Sequence, residues 1–191
     1  MHKEFGEKHI QKLRQELLKN DCYIMGLKNT DEKDLARTAS VTASSQKPGW
    51  EASKVINGIT RNKKGEINCW SSDGIGQNGE YLVLTFDAAC PVSQVRLTFD
   101  PNLSQERCIS VSKAFIDKEP LGGDKELVKD YKVTLYHKGT ITYEKTISNN
   151  YQRLNIINLA DTVMADQAEI RIFSTNGLDD VHIFEVRIYG A

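Results

Sequence analysis

The stretch Glu80-Tyr81-Leu82-Val83-Leu84-Thr85-Phe86 decides how the rest of the chain is read. Leu82, Leu84 and Phe86 alternate with Tyr81, Val83 and Thr85. Successive side chains of a strand point to opposite faces, so a period of two supplies one apolar face for a core. The rhythm repeats on both sides of a gap. Val95, Leu97 and Phe99 alternate with Arg96, Thr98 and Asp100, and Tyr131, Val133 and Leu135 with Lys132, Thr134 and Tyr136. Ile141 and Tyr143, then Ile170 and Ile172 around Arg171, follow the same rule. Near the end, Phe184, Val186 and Ile188 alternate with Glu185, Arg187 and Tyr189. Turn formers punctuate these runs: Asn57-Gly58, the glycines of 74–79, Gly122-Gly123, Asn149-Asn150 and Asn176-Gly177. About eight strands with no helical pattern between them predict an antiparallel sandwich or barrel.

Upstream of Thr38 the period is different. Phe5, Ile10, Leu13, Leu17 and Leu18 recur at helical spacing among Lys, Glu, Gln and Arg, and Asn20-Asp21 is a stop signal. A lone helix cannot bury its own apolar stripe, so this one needs the following domain, a partner or another part of the polypeptide. Cys22 to Leu35 reads as a connector with a charged Thr30-Asp31-Glu32-Lys33-Asp34 stretch. The chain therefore divides into a helical lead-in and connector, 1–34, and a β domain, 35–191.

Composition narrows the function. Of 191 residues 39% are hydrophobic, and 25 basic side chains nearly cancel 26 acidic ones, for a net charge of -1. No basic stripe exists to track a phosphate backbone, which argues against nucleic acid. No apolar run approaches the roughly 20 residues of a membrane span. The first residues are polar and carry no secretory signal pattern, and the compartment stays open. Cys22, Cys69, Cys90 and Cys108 form no Cys-x-x-Cys pair, so they are expected to be reduced and mostly buried.

Two long irregular stretches, 46–78 and 101–129, are where binding residues are sought. Trp50 sits among turn formers in Lys47-Pro48-Gly49-Trp50-Glu51. A tryptophan there offers a flat platform to a sugar ring, or else plugs the end of the sandwich. Arg61, with Lys63 and Lys64, and Arg107 in the second stretch are candidates for charge-assisted hydrogen bonds to a polar ligand, or are simply solvated. Gly74-Ile75-Gly76-Gln77-Asn78-Gly79 matches a dinucleotide fingerprint, but a strand follows it and no helix does, so it reads as a loop. Catalysis has little support. His137 and His182 are expected at surface or strand positions, and Asp179-Asp180 as a solvated pair in a turn. No Gly-x-Ser-x-Gly elbow and no His-Glu-x-x-His helix occurs.

The order of the segments resembles a known family. Leu35-Ala36-Arg37, Val41-Thr42-Ala43-Ser44-Ser45 and Ala52-Ser53-Lys54-Val55-Ile56-Asn57-Gly58 resemble the opening of discoidin (coagulation factor 5/8 type C, galactose-binding-like) domains. Trp70-Ser71-Ser72-Asp73-Gly74, Pro91-Val92-Ser93-Gln94-Val95-Arg96-Leu97 and the closing Ile183-Phe184-Glu185-Val186-Arg187-Ile188-Tyr189-Gly190 follow in the family's order. The resemblance implies an all-β, antiparallel jelly-roll β-sandwich with binding loops at one end, here preceded by an N-terminal α-helix. It implies a buried aromatic at Trp70. It also implies a structural calcium site: carbonyls of Lys54 and Phe184, the side-chain oxygen of Asn57 and the carboxylate of Glu185. Calcium takes six to eight hard oxygen ligands. Asn57 stands where the family often has Asp, which removes a negative charge and weakens the site.

A narrower resemblance lies at the junction. Residues 15–27, joined to Asp34-Leu35-Ala36-Arg37, are similar to the lead into the C-terminal module of certain bacterial FAD-dependent oxidoreductases. That implies an accessory module whose flavin sits in another part of the polypeptide, with no FAD in this segment. Two functions are therefore expected. One is a non-catalytic module that binds carbohydrate. The other is a structural domain that docks on the oxidoreductase domain without a ligand of its own.

Overall fold

The computed structural model describes residues 28–62, 66–102 and 124–190, with Gln11, Lys12, Gln15 and Lys113. Gln11, Lys12 and Gln15 are helical; the rest of the expected lead-in helix, Gly122-Gly123 and the cysteines Cys22 and Cys108 lie outside the described residues. The described residues form seven strands: β1 (Ser40–Ala43), β2 (Trp70–Ser71), β3 (Glu80–Phe99), β4 (Val128–His137), β5 (Thr140–Ile147), β6 (Leu154–Thr175) and β7 (His182–Tyr189). Two short 3-10 helices, Leu35–Thr38 and Ala52–Ile56, complete them. Every strand pairing is antiparallel.

β3 and β6 are long because each belongs to two layers. Glu80 to Thr85 pairs with Gln167 to Ile172 of β6, and its Leu82 to Thr85 portion also with β1; that stretch of β6 in turn pairs with β4, and β4 with β5. Farther along, Gln94 to Thr98 pairs with Leu154 to Asn158 of β6 and with β7, whose first residues pair with β2. Register shifts between Thr85 and Cys90 and between Val92 and Gln94 mark the corner, where bulges let a strand bend. The result is a β-sandwich.

The alternation read from sequence fills the space between the layers. Leu82, Leu84, Val95, Leu97, Phe99, Tyr131, Val133, Leu135, Ile170 and Ile172 are all fully buried. Phe99 and Tyr131 meet edge to face across the layers, with ring centroids 5.1 Å apart. Trp70 is buried too, its indole N–H donating to the Ser45 carbonyl at 3.0 Å. Cys69 is a buried free thiol and Cys90 a half-buried one.

Three readings need correction. The run at Ile141 and Tyr143 is an edge strand, and Ile141 is 53% exposed, because β5 has a neighbour on one side only. In β7 the core-facing set is Ile183, Val186 and Ile188. A register shift opposite Thr98 and Phe99 puts one extra residue into β7, so Phe184 falls out of the alternation. Finally, the segment read as a connector is built into the sandwich from Asn29 onward. Asp34 is buried and caps the first 3-10 helix: Oδ1 accepts from Ala36 N at 3.1 Å and from Ile188 N at 3.0 Å, and Oδ2 from Asn29 Nδ2 at 2.8 Å. It thereby covers an edge of β7 that β2 leaves open.

The inter-layer contact predicts an asymmetry. Phe99→Ala should lower unfolding free energy by about 3–5 kcal/mol in urea titrations, by lost transfer energy and a cavity. Ile141→Thr on the exposed edge should change it by less than about 0.5 kcal/mol.

Candidate functional site

The bends of β3 and β6 occupy one end of the sandwich, so the longest connections gather at the other. There β1, β2 and β5 end, β4 and β7 begin, and β3 and β6 have both their ends. Trp50 lies at this end, and its position follows from local chemistry. Pro48 and Gly49 are the central residues of a tight turn closed by Trp50 N donating to Lys47 O at 3.0 Å. Gly49 has φ +83°, as the third residue of a type II turn requires. Lys47 N donates to Ser71 O and Ser71 N to Trp50 O, which fastens the turn to β2.

β2 pairs with the start of β7, opposing Ser71 to His182. The Trp50 ring consequently stacks on the His182 ring, with centroids 5.2 Å apart and planes 26° apart. His182 is held between two carboxylates. Its Nδ1 is 3.2 Å from Asp100 Oδ2 and its Nε2 is 3.0 Å from Asp180 Oδ2. Asp180 also receives Lys47 Nζ at 2.6 Å and the Ser71 hydroxyl at 3.3 Å. His182 is a strand position, as expected, and opens β7. The expectation of a solvated acidic pair is corrected: Asp180 is half-buried in a charge network, while Asp179 is exposed.

The electrostatics follow from that geometry. Burial works against a charged imidazole, but Asp100 and Asp180 outweigh it and raise the His182 pKa above the ordinary 6.5. Burial likewise opposes ionisation of Asp180, yet Lys47 and His182 bring its pKa below the ordinary 3.8. With a carboxylate at each ring nitrogen, the protonated form of His182 donates to both. It has no free nitrogen to act as a base, and the nearby Ser71 hydroxyl bonds to Asp180 rather than to the ring. This arrangement positions groups and holds the Trp50 platform; it is not a nucleophile–base pair.

The other sequence candidates fall in different places. Trp50 is half-buried, one face covered by His182, so it is neither sealed as a plug nor free. Arg61 is exposed on the loop ahead of β2, and Arg107, Lys63 and Lys64 lie outside the described residues. His137 ends β4 with Nδ1 3.4 Å from Asp166. The glycine-rich segment is a loop before β3, as expected. Gly79 N closes a turn on Gly76 O at 2.9 Å, and a Cβ on Gly79 would lie 2.4 Å from the Ile172 carbonyl. No helix among the described residues is long and apolar enough to cross a membrane.

The residues implied for calcium are committed elsewhere. Asn57 Oδ1 accepts Ile59 N at 2.7 Å and its amide donates to Asn68 Oδ1 at 3.0 Å. The Lys54 carbonyl accepts Asn57 N at 3.2 Å, while its ammonium reaches the Gly49 and Ile67 carbonyls. Glu185 is buried and its Oε2 receives Arg187 Nε at 2.7 Å. A second guanidinium, Arg153, lies within electrostatic reach of Glu185 and donates through Nη2 to the Thr60 carbonyl. The Glu185 carboxylate is thus already paired with the Arg187 guanidinium.

The His182 cluster predicts a pH dependence. A raised histidine pKa adds stability that is complete below the unfolded value, near 6.5, and is lost as pH rises through the folded value. Thermal unfolding of the native chain should therefore shift to lower temperature between mildly acidic and alkaline pH, by roughly 2–4 °C per kcal/mol lost. His182→Gln should flatten that profile over the same interval.

Comparison with known proteins places this geometry. A family model described as a domain of unknown function (DUF7402) matches residues 34–118. No curated protein matches the chain. Many solved structures do. The family 32 carbohydrate-binding module from C. perfringens NanJ, in complex with galactose, has a TM-score of 0.57 at 16% identity, covering 82% of this chain and 98% of that one. The family 32 module from Streptococcus pneumoniae EndoD has a TM-score of 0.61 at 14% identity, covering 83% and 99%. Chitosan-binding module 1 of a chitosanase/glucanase from Paenibacillus sp. IK-5 has a TM-score of 0.58 at 17% identity, covering 82% and 98%. The chain thus has the discoidin, galactose-binding-like β-sandwich fold that these carbohydrate-binding modules share.

Proposed function

We propose that this chain is a non-catalytic carbohydrate-binding module, accessory to a larger enzyme, and that the ligand is met at the loop end by Trp50 and the charged groups around it. The observation that carries the reading is the Trp50 ring stacked on a histidine held between two carboxylates, beside Lys47. A pyranose presents an apolar C–H face that packs on an indole ring, and hydroxyls at its rim that need charged or polar partners. Half-buried Trp50, the Lys47 ammonium and the exposed carboxylates of Asp73 and Asp179 supply both kinds of group at one end. The pre-bonded turn at Lys47 to Trp50 means that little order has to be imposed on binding, which favours affinity for a small ligand.

The structural neighbours support the ligand class, since their described partners are galactose, fucose, Lewis antigen and chitosan. The accessory role rests on the junction at 15–37, with its resemblance to the lead into a flavoenzyme module. In that reading the parent polypeptide supplies the chemistry, and a flavin-binding domain is expected upstream in the same reading frame.

Isothermal titration with soluble oligosaccharides ending in galactose, fucose or glucosamine tests the ligand. At least one should bind, and Trp50→Ala should weaken it by about tenfold or more, as loss of a buried aromatic anchor does. Ile141→Thr, far from the loops, should bind as the native chain does. Failure of every saccharide, or a Trp50→Ala variant of undiminished affinity, overturns the proposal.

A further inference from the structure

We infer that Lys54 is a positioning residue for the ligand platform: its ammonium clamps the peptide ahead of Trp50 and so presets the indole before a saccharide arrives. The inference rests on the reading of Trp50 as the group that meets the ligand. The clamp is built from three oxygens. Lys54 Nζ donates to the Gly49 carbonyl at 2.5 Å and to the Ile67 carbonyl at 2.8 Å, and lies 3.2 Å from Glu51 Oε2. An ammonium has three N–H donors, and each finds an oxygen here. The Lys54 side chain is only 23% exposed, whereas a lysine ordinarily keeps its charged head in water. Ordering so long a side chain costs rotamer freedom, which a single exposed ion pair would not offset.

What the clamp holds is the turn itself. Gly49 is gripped on both sides: its N–H donates to Glu51 Oε1 at 3.0 Å, and its carbonyl accepts from Lys54. That carbonyl belongs to the peptide bond joining Gly49 to Trp50, and the N–H of the same planar unit donates to Lys47 O at 3.0 Å. The Trp50 carbonyl beyond it accepts Ser71 N at 3.2 Å. Both peptide planes flanking Trp50 are thereby fixed, and with them the direction in which the ring leaves the chain towards His182. Gly49 is the joint that most needs holding, since a residue without a Cβ at φ +83° has the widest conformational freedom in the turn. Lys54 reaches it from the 3-10 helix Ala52–Ile56, which follows directly. Its bond to Ile67, just ahead of β2, ties the turn to the far side of the same loop. Lys47 cannot take over this duty, because its ammonium is engaged by Asp180.

Acrylamide quenching of tryptophan fluorescence in the ligand-free full chain tests the clamp directly. The chain has 2 tryptophans and Trp70 is fully buried, so added quenching reports on Trp50. Lys54→Met should raise the quenching constant above the native value while unfolding stays cooperative, because the released Gly49 and Ile67 carbonyls bond at exposed positions and take up water. Titrated with a saccharide that the native chain binds, the same variant should lose about three- to tenfold in affinity, the cost of ordering the turn on binding. A merely structural lysine would lower Tm and leave both the shielding of Trp50 and the affinity unchanged. Should Lys54→Met not fold, Lys54→Arg carries the test: a planar fork keeps the charge but cannot serve three oxygens in the ammonium's arrangement, so quenching should again exceed the native value. Native-like quenching in whichever of these variants folds, or undiminished affinity of Lys54→Met, overturns the inference. If no saccharide binds even the native chain, the carbohydrate reading fails, and the quenching result still decides the clamp.

Discussion

β3 and β6 stay hydrogen-bonded to one another while both bend from one layer of the sandwich into the other. That continuous pairing is the constraint from which the rest follows. It joins the two layers covalently twice at one end, so the core between them has a fixed thickness there. It also forces the longer connections to the opposite end, where the strand ends open. The apolar face of β3 feeds both halves of the core: Leu82 and Leu84 on one layer, Val95, Leu97 and Phe99 on the other. The bulges at the corner allow the turn without interrupting the ladder for long.

The loop end is organised by charge compensation rather than by apolar packing. A buried imidazolium would be costly alone; two carboxylates and the Lys47–Asp180 pair offset its desolvation. The Trp50 ring then closes over this group from a turn bonded to β2. The same logic recurs along β7. Buried Glu185 is paired with the half-buried Arg187 guanidinium. The first of these charged patches holds the Trp50 ring.

Much of the fold was legible in one dimension. Alternating Leu, Val, Ile and Phe in 82–86, 95–99, 131–135 and 170–172 reported burial directly, since face assignment in a strand is a local property. The first half of β6 was not read, because Asn155-Ile156-Ile157-Asn158 has adjacent apolar residues, one buried and one exposed, and no alternation. The extra residue at Phe184 was equally hidden: a bulge depends on the partner strand's hydrogen bonds, not on its own composition. β5 was read as a strand but its weak burial was not, because edge position is set by which strands pair.

Of the candidate site, Trp50 was visible as a loop aromatic among turn formers, and Glu185 was singled out only through the family resemblance. His182, Asp180 and Asp100 were passed over as ordinary polar positions. The histidine and Asp100 are 82 residues apart in the chain, and only the pairing of β7 with β3 brings them within 3.2 Å. Arg153 carried no signal at all, since its role depends on meeting Thr60 across 93 residues. The sequence by itself determined which side chains turn inward and where the chain must turn, because both depend on neighbours one or two residues away. The tertiary structure alone decided which charges meet, because electrostatic partnership is a matter of distance in space and of how much water the assembled layers exclude.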